Sequence, residues 1–310
     1  MKKKMTNTRG LRTIGYGVVG LLSVSIIVGM AVGISKSAVF NPEGSIAHQQ
    51  KTLMIFTVML GMLVVIPVFI MLFLFAWKYR ESNKKAKYRP NESGNRLLET
   101  LWWGIPIVII LILSVVTWVS SHELDPYKTV ASNNKPIRVQ VVALEWRWLF
   151  IYPDYGVASL SEVRFPEKTP INFELTADAP MSAFWIPKLG SQTYAMSAMS
   201  SSLSLQADHP GVYRGSNTNI NGTGYSKMTF NAVVSSSSDF QSWLKTTHKA
   251  EPLDMSIYAQ LSKQSSDNSV RYFSLSDKNL YNDIMSKYMQ HEQSTSSTDS
   301  MNMNNDGMTH

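Results

Sequence analysis

The sequence predicts a membrane protein in which two membrane-spanning helices, preceded by a signal peptide or an extra helix, carry an external all-β sandwich and a C-terminal helical arm. Three observations predict this class: three long uncharged stretches lie within the first 122 residues, short alternating runs begin at Ile137, and helical periodicity returns near residue 240. The chain of 310 residues is 44% hydrophobic and only 16% charged, as expected when very apolar segments are combined with polar ones.

Three stretches have the length and composition of membrane-spanning segments: Thr13–Ser35, Thr52–Trp77 and Thr100–Ser121. The hydrocarbon core of a bilayer is spanned by about 20 apolar residues, so each stretch is long enough. Trp77 ends the second stretch and Trp102 lies near the start of the third, where aromatic residues favour the membrane–water interface. We therefore predict transmembrane helices over 52–77 and 100–121.

The two ends of the chain have different compositions. The first stretch follows a cluster of lysines and contains several glycines, and Ala31 and Gly33 would suit a signal-peptidase site. Residues 1–35 are accordingly predicted to be either a cleaved signal peptide or a retained first transmembrane helix. Residues 291–310 are polar and are predicted to be disordered. Weak metal binding by their methionines and two histidines is left open.

The net charge of +7 is unevenly distributed. Residues 1–122 hold 14 Lys or Arg and 4 Asp or Glu, and the remainder holds 15 and 18, so the two parts carry +10 and −3. Seven of the basic residues lie between Lys78 and Arg96, with only two acids. The positive-inside rule therefore predicts that loop 78–98 is cytoplasmic and that the C-terminal region is external. The charge indicates topology, and no nucleic-acid partner is predicted.

The chain has no cysteine, which excludes disulfides, thiolate metal sites, iron–sulfur clusters and a cysteine nucleophile. Its histidines are also poorly spaced for a metal site, because no two of them are two to four residues apart. The six are His48, His122, His209, His248, His291 and His310.

The external region begins with IRVQVVAL, whose first residues alternate as in a half-buried strand. Runs rich in Val, Ile, Phe, Tyr and Thr follow at 148–152, 161–165, 171–176, 182–186, 201–207 and 225–234. Turn signals such as Pro210-Gly211 and Asn221-Gly222 separate them. This spacing predicts an antiparallel sandwich over 137–234. The segment SSSSDF then predicts a linker at 235–240, followed by a helical arm over 240–290 in which Asp277 caps the last helix.

Four segments, in the order LETLWWGIPIVII, EWRWLFIYPDYG, FWIPKLGSQTYAM and PGVYRGSNTNINGTGYSKMTF, are similar to subunit II of the haem–copper respiratory oxidases. The resemblance covers about residues 40–290. It implies a two-helix hairpin with a periplasmic, cupredoxin-like sandwich.

In the cytochrome c-oxidising members of that family the sandwich holds a binuclear copper centre, whose ligands are thiolates and imidazoles. The resemblance places the family's ligand positions, in chain order, on Ser182, Ser216, Thr218, Ile220, Gly224 and Met228. Only Met228 keeps a ligand type, and one thioether cannot hold copper by itself. The resemblance therefore implies that this chain has no metal site, no cofactor and no redox centre of its own.

A subunit II without the copper centre is typical of the quinol oxidases, and the segments FAWKYR, AKYRPN and IPKLGSQTYAM resemble above all the cytochrome bo-type ubiquinol oxidases. The implied function is that of a structural and assembly subunit of a proton-pumping ubiquinol oxidase in a bacterial inner membrane. Haems and CuB would belong to subunit I, with membrane lipid and small subunits III and IV as further partners. Members of that branch commonly carry a lipidated cysteine where this chain has Ser35, so lipidation at that site is excluded here.

Two other functions stay open on the sequence alone. A cytochrome c oxidase subunit II would share the fold but needs the missing thiolates. A non-catalytic, membrane-tethered cupredoxin-like binding or assembly protein would not explain the motif around Glu99 as readily.

Glu99 is the candidate functional residue. It begins the pattern Glu-x-x-Trp-x-x-x-Pro, which resembles a family motif at the cytoplasmic end of the second helix. That resemblance implies a carboxylate at the entrance of the proton-conducting K-pathway of subunit I. The alternative is a carboxylate that merely stabilises a helix N-terminus. Trp146, Trp148 and Tyr152 match a family aromatic segment, and with no copper beside them we predict a packing role.

Overall fold

The computed structural model describes residues 37–84, 94–132 and 134–289, together with positions 25, 29 and 33. The predictions for the signal segment, for Ser35 and for the tail lie outside the described residues. So do residues 85–93, in the middle of the basic loop.

Two long helices form the apolar part of the described chain. Helix α1 spans Ser45–Lys78 and helix α2 spans Arg96–Glu123. At 1.5 Å per residue they are roughly 50 and 40 Å long, more than the ~30 Å of a bilayer core. They are the two described helices long and apolar enough to cross a membrane, and their apolar side chains are exposed. Pro67 and Pro106 lie inside them, as membrane helices tolerate.

Twelve strands follow in the described part of the chain: β1 Ile137–Leu144, β2 Arg147–Tyr152, β3 Val157–Leu160, β4 Glu162–Pro166, β5 Ile171–Ala177, β6 Ser182–Trp185, β7 Thr193–Ala195, β8 Ser201–Leu205, β9 Gly211–Asn217, β10 Thr229–Ser235, β11 Pro252–Leu253 and β12 Arg271–Leu275. Seven of them form a sheet in the order β11-β12-β3-β2-β1-β5-β8. The other five form a second sheet in the order β4-β10-β9-β6-β7. The two sheets pack as a sandwich.

Both sheets are mixed, so the prediction of an antiparallel sandwich was wrong in that respect. Strand β1 pairs with β5 in parallel, with Ile137 opposite Ile171, and β4 pairs with β10 in parallel. The chain leaves the first sheet for β4 and returns for β5, so β5 runs in the same direction as β1. Alternation and turn residues predict where strands lie, but they do not determine which strands become neighbours.

Aromatic side chains fill the space between the sheets. The rings of Phe184 and Phe230 stack with centroids 4.9 Å apart, and the Trp148 ring meets Phe184 edge-on at 5.2 Å. A Cβ atom on Gly215 would lie 2.0 Å from the Phe230 ring, so only glycine fits there. Trp148 and Tyr152 are fully buried, which confirms the packing role predicted for them.

The C-terminal arm covers the outer face of β1 and β2. It contains α3 Ser237–Thr247, α4 Met255–Leu261 and a helical segment at 280–289. Its apolar side chains form a second core with this face, made of Val142, Leu144, Leu149, Ile151, Ala158, Leu160, Leu253, Tyr258, Leu261, Phe273, Leu280, Tyr281 and Ile284. Strand β2 is therefore buried on both faces, which explains why its sequence WLFIY does not alternate.

Three details of the arm differ from the sequence prediction. The segment SSSSDF is not a linker, because the Ser236 hydroxyl caps α3 by accepting a hydrogen bond from the Asp239 backbone N–H at 3.1 Å. The arm also adds strands β11 and β12 to the larger sheet, next to β3. Asp277 is not the N-cap of the last helix, because that helix begins three residues later, at residue 280. The Asp277 side chain instead accepts a hydrogen bond from the Asn279 N–H in the preceding turn.

The first turn of α1 is joined to the sandwich by backbone hydrogen bonds. The N–H of Glu43 donates to the Lys188 carbonyl at 2.8 Å, and the N–H of Asp208 donates to the Glu43 carbonyl at 2.9 Å. A Cβ atom on Gly44 would lie 2.5 Å from the Gln206 carbonyl oxygen, so this approach requires glycine. Both α1 and α2 thus have one end at the sandwich, and the basic loop lies at their other ends.

Candidate functional site

Glu99 lies in the first turn of α2, at the end of the helix farthest from the sandwich. Asn95 caps this turn, since its side-chain oxygen accepts from the Leu97 N–H at 3.0 Å and its carbonyl accepts from the Glu99 N–H at 2.9 Å. The Glu99 carboxylate is exposed on the helix surface, and no Lys or Arg of the described residues forms an ion pair with it. The carboxylate is thus fixed by a capped helix and open to its surroundings.

The residues that follow Glu99 change the backbone hydrogen bonding of the neighbouring helical turn. Trp102 and Trp103 are three and four residues further on, so they share its side of the helix, and their rings are exposed. Pro106 has no N–H, so the Trp102 carbonyl receives no hydrogen bond from that position. A carboxylate and a carbonyl that lacks its usual helical donor thus lie one turn apart at the start of an apolar helix, an arrangement that can attract a proton or water.

The six positions assigned by resemblance to copper ligands lie at one end of the sandwich. The Ser182 hydroxyl lies 3.9 Å from the sulfur of buried Met228, so these two side chains are in contact. The Thr218 hydroxyl instead bonds the Gln192 side chain at 2.6 Å. Ile220 is 76% exposed, with its side chain directed to solvent.

Two asparagines organise the loop that carries these positions. The side-chain oxygen of Asn217 accepts from the Ala183 N–H at 2.8 Å, and its amide donates to the Asn221 side-chain oxygen at 3.1 Å. The Asn221 amide in turn donates to the Ser182 hydroxyl at 2.8 Å. The loop is therefore connected to β6 by hydrogen bonds between neutral groups. The sequence reasoning missed both residues, although the run SNTNING was a signal for side-chain hydrogen bonding in a loop.

Trp146 covers the same loop from the β1–β2 turn. Its backbone has φ 67°, a left-handed conformation that is costly for a bulky residue. A Cβ atom on Gly224 would lie 2.1 Å from the indole ring, and one on Gly222 would lie 3.1 Å from it. The indole therefore occupies the space that a side chain at position 224 would need.

The donor set at this end of the sandwich does not fit a binuclear copper centre. Hydroxyl, aliphatic and hydrogen groups stand where soft thiolates and imidazoles are required, and one buried thioether remains. Within the described ranges, no group of three or more His, Asp or Glu side chains converges on a common point. We derive no electron-transfer step through this end of the chain.

A second polar cluster, which sequence reasoning also missed, joins the arm to the sandwich around Asp178. Its carboxylate accepts from Tyr258 at 2.6 Å, from Lys287 at 2.8 Å and from Tyr288 at 2.5 Å. Burial by itself raises the pKa of Asp178, but the hydrogen bonds from Lys287, Tyr258 and Tyr288 outweigh it and lower the pKa below the usual value. Burial and the carboxylate raise the pKa of both tyrosines. The Asp178 carboxylate itself is buried, and the cluster holds the arm against the sandwich.

The described residues thus form a hairpin of two apolar helices that carries a β-sandwich, with one candidate residue at the far end of the hairpin and, within the described sandwich, side chains that do not fit a binuclear copper centre. The family described as "Cytochrome C oxidase subunit II, transmembrane domain" matches residues 35–119, and the "COX Aromatic Rich Motif" matches residues 248–292. The cytochrome bo(3) ubiquinol oxidase subunit 2 of Pseudomonas aeruginosa is 42% identical over 270 residues, covering 86% of this chain and 81% of that protein.

The ubiquinol oxidase subunit 2 of Acetobacter aceti is 39% identical, with 87% of each chain covered. Among solved structures, the periplasmic domain of subunit II of the cytochrome oxidase of Bradyrhizobium japonicum is similar over 38% of this chain and 96% of that one, at 20% identity and a TM-score of 0.36. The chain belongs to the subunit 2 family of the haem–copper ubiquinol oxidases.

Proposed function

We propose that this chain is the second subunit of a proton-pumping ubiquinol oxidase in a bacterial inner membrane. The complex oxidises ubiquinol and reduces oxygen to water, and the haems and CuB that carry out this chemistry belong to subunit I. The chain contributes a membrane anchor, a periplasmic domain and an assembly surface for subunit I and for small subunits III and IV. Family membership at 42% identity supports this assignment.

The observation that carries the quinol assignment is the composition of the sandwich end. Asn217 and Asn221 connect the loop by neutral hydrogen bonds, and Trp146 fills the space above Gly224. Electrons need no relay through this end if they pass from quinol in the membrane directly to subunit I. The sandwich then acts as a periplasmic cover.

Copper content tests this half of the proposal. We expect the purified complex to contain only the copper of subunit I, and a Met228→Leu variant to contain the same amount per haem. Two additional coppers per complex that are lost in Met228→Leu would contradict the assignment.

Glu99 has the second role in the proposal, as the residue that collects protons for subunit I. Its position supports this role, because an exposed carboxylate at the edge of the hydrocarbon can exchange protons with water around the basic loop. A carboxylate that only stabilises the helix N-terminus would contribute about 0.3–1 kcal/mol to helix stability and nothing to turnover.

The Glu99 test compares Glu99→Ala with Glu123→Ala, a matched change at the opposite end of the same helix. We expect Glu99→Ala to lower ubiquinol oxidase turnover and proton uptake roughly tenfold, equivalent to about 1.4 kcal/mol in the activation barrier. Glu123→Ala should leave both unchanged, and Glu99→Asp should restore part of the activity. Normal turnover and normal proton pumping in Glu99→Ala would show that Glu99 does not collect protons for subunit I. Co-purification of each variant with a haem-bearing subunit I separates loss of assembly from loss of proton uptake. If the wild-type chain does not co-purify with such a subunit, a membrane-tethered binding protein is favoured instead.

A further inference from the structure

The end of α1 farthest from the sandwich is followed by a turn, and an open cavity lies beside this turn. The Asn83 side-chain amide donates to the Lys78 carbonyl at 2.6 Å, and the Asn83 N–H donates to the Arg80 carbonyl at 2.9 Å. These bonds turn the chain under the last helical turn. The resulting cavity has a volume of about 450 Å³ and is lined by Leu74, Phe75, Trp77, Lys78, Arg80 and Asn83.

The lining combines two cations with an apolar wall. Within the part of the chain that the structure describes, neither Lys78 nor Arg80 forms an ion pair, although Lys78 lies 5.6 Å from the centre of the Tyr79 ring. Glu81 is exposed and does not line the cavity. The cavity therefore has a net positive charge that no described carboxylate neutralises.

The cavity lies where the lipid headgroups of a spanning helix would be. The uncharged stretch of α1 ends at Trp77, whose ring is 68% exposed, and Leu74 and Phe75 on the preceding turn are also exposed. Exposed tryptophan is favoured at the membrane–water interface. The apolar side of the cavity thus borders the acyl chains, and its cationic side borders the headgroups.

We propose that this cavity binds the phosphodiester headgroup of an anionic phospholipid. The Arg80 guanidinium has the planar pair of donors that matches two phosphate oxygens, and the Lys78 ammonium supplies a second positive contact. The acyl chains lie along Leu74 and Phe75. Basic pockets beside transmembrane helices are suited to such headgroups. The inference does not depend on the role of Glu99.

Lys84 provides a matched control, because it lies in the same loop, carries the same charge and does not line the cavity. A general attraction between the basic loop and an anionic membrane would be weakened equally by Arg80→Gln and Lys84→Gln. A defined site would be weakened only by changes in its lining.

The experiment uses the whole detergent-purified oxidase complex, stripped of lipid and titrated with phosphatidylglycerol, with phosphatidylcholine and with inorganic phosphate. Native mass spectrometry counts the bound phospholipid. We expect Arg80→Gln to weaken phosphatidylglycerol binding roughly tenfold, as for loss of a hydrogen bond to a charged group, and Lys78→Gln to weaken it about fivefold. Lys84→Gln should change it less than about twofold.

Three outcomes would overturn the proposal. These are equal losses in Arg80→Gln and Lys84→Gln, equal binding of phosphatidylcholine and phosphatidylglycerol, and displacement of the lipid by millimolar inorganic phosphate. An unchanged haem spectrum in each variant shows that the complex is intact. Because the readout is bound lipid, failure here leaves the proposed ubiquinol oxidase function untouched.

Discussion

Trp146 and Gly224 illustrate how a single pair of side chains can determine the structure of a loop. The indole ring lies where the Cβ atom of any other residue at position 224 would be, and the strained backbone of Trp146 directs it there. Such strain persists only when the surrounding packing over-determines it. The contact therefore contributes to the stability of this loop.

We predict that Gly224→Ala lowers the free energy of unfolding by about 1–3 kcal/mol, because the new methyl group overlaps the ring. This corresponds to several degrees in the melting temperature of the purified chain in detergent, at roughly 2–4 °C per kcal/mol. Gly211→Ala is the milder comparison, since its Cβ atom would be 3.3 Å from the tip of the Tyr213 ring, a tight contact that a small shift of this side chain relieves.

The same substitution in a Trp146→Ala background isolates the contact. We expect the penalty of Gly224→Ala to disappear largely when the indole is absent. An equal loss of melting temperature in both backgrounds would show that the ring is not the cause.

The C-terminal arm depends on a few polar contacts in addition to its apolar face. Asp178 is the centre of one cluster, and Arg147 supplies another by donating to the Leu261 carbonyl at 2.5 Å and to the Lys263 carbonyl at 3.0 Å. The arm buries an outer sheet face that would otherwise be an exposed apolar surface. Its attachment therefore governs the solubility of the domain as well as its stability.

We predict that Asp178→Asn loosens the arm, because the amide keeps the size of the side chain but leaves Lys287 without its charge partner. The loss of a charged hydrogen-bonded group costs about 1–3 kcal/mol. Amide exchange in residues 255–261 and 280–289 should be roughly tenfold faster. Asp154→Asn breaks an exposed ion pair with Arg138 and should have little effect on the arm. Unchanged amide exchange in Asp178→Asn would show that the Asp178 cluster does not hold the arm.

The attachment of the arm should also depend on pH in a defined direction. Because the pKa of Asp178 is lowered in the folded state, its contribution is present above the unfolded value of about 3.9 and is lost as the pH falls through the folded pKa. Exchange protection of the arm should therefore be constant from about pH 5 to 8 and fall in stronger acid. In Asp178→Asn this acid-dependent component should be missing, and an unchanged acid response would assign it to other groups.

The charge distribution bears on how the whole molecule is oriented. Between Lys78 and Arg96 there are seven Lys or Arg and two acids, so the loop at the end of the hairpin opposite to the sandwich has a net charge of +5. Because the natural chain has no cysteine, single cysteines can report its topology without background. Lys84→Cys in the basic loop and Lys245→Cys on α3 are matched exposed positions.

We predict that an impermeant maleimide labels Lys245→Cys in intact spheroplasts and labels Lys84→Cys only after lysis, because the positive-inside rule keeps the basic loop in the cytoplasm. Labelling of Lys84→Cys in sealed spheroplasts would contradict the orientation. Labelling of both positions after lysis is the control that each cysteine is reactive.

Much of this organisation follows from local sequence. The uncharged stretches 52–77 and 100–121 lie inside α1 and α2, and the run IRVQVVAL coincides with β1. Strands β3, β7 and β9 were missed because their sequences are short or rich in Ser, Gly and Ala and carry little alternation. Residues 271–275 were assigned to a helical arm because a single strand of five residues between helical segments is too short for its alternation to be recognised.

The division of the chain into a membrane part and an external β part, and its family, can be recognised from the sequence. Hydrophobic length, charge and residue type at motif positions are local properties, so they need no structure. The folded chain is required to see that the sheets are mixed, that the arm covers the outer face of β1 and β2, and that Trp146 fills the space above Gly224. These features depend on contacts between residues far apart in the chain, and such contacts are fixed by packing of the whole domain rather than by any local pattern.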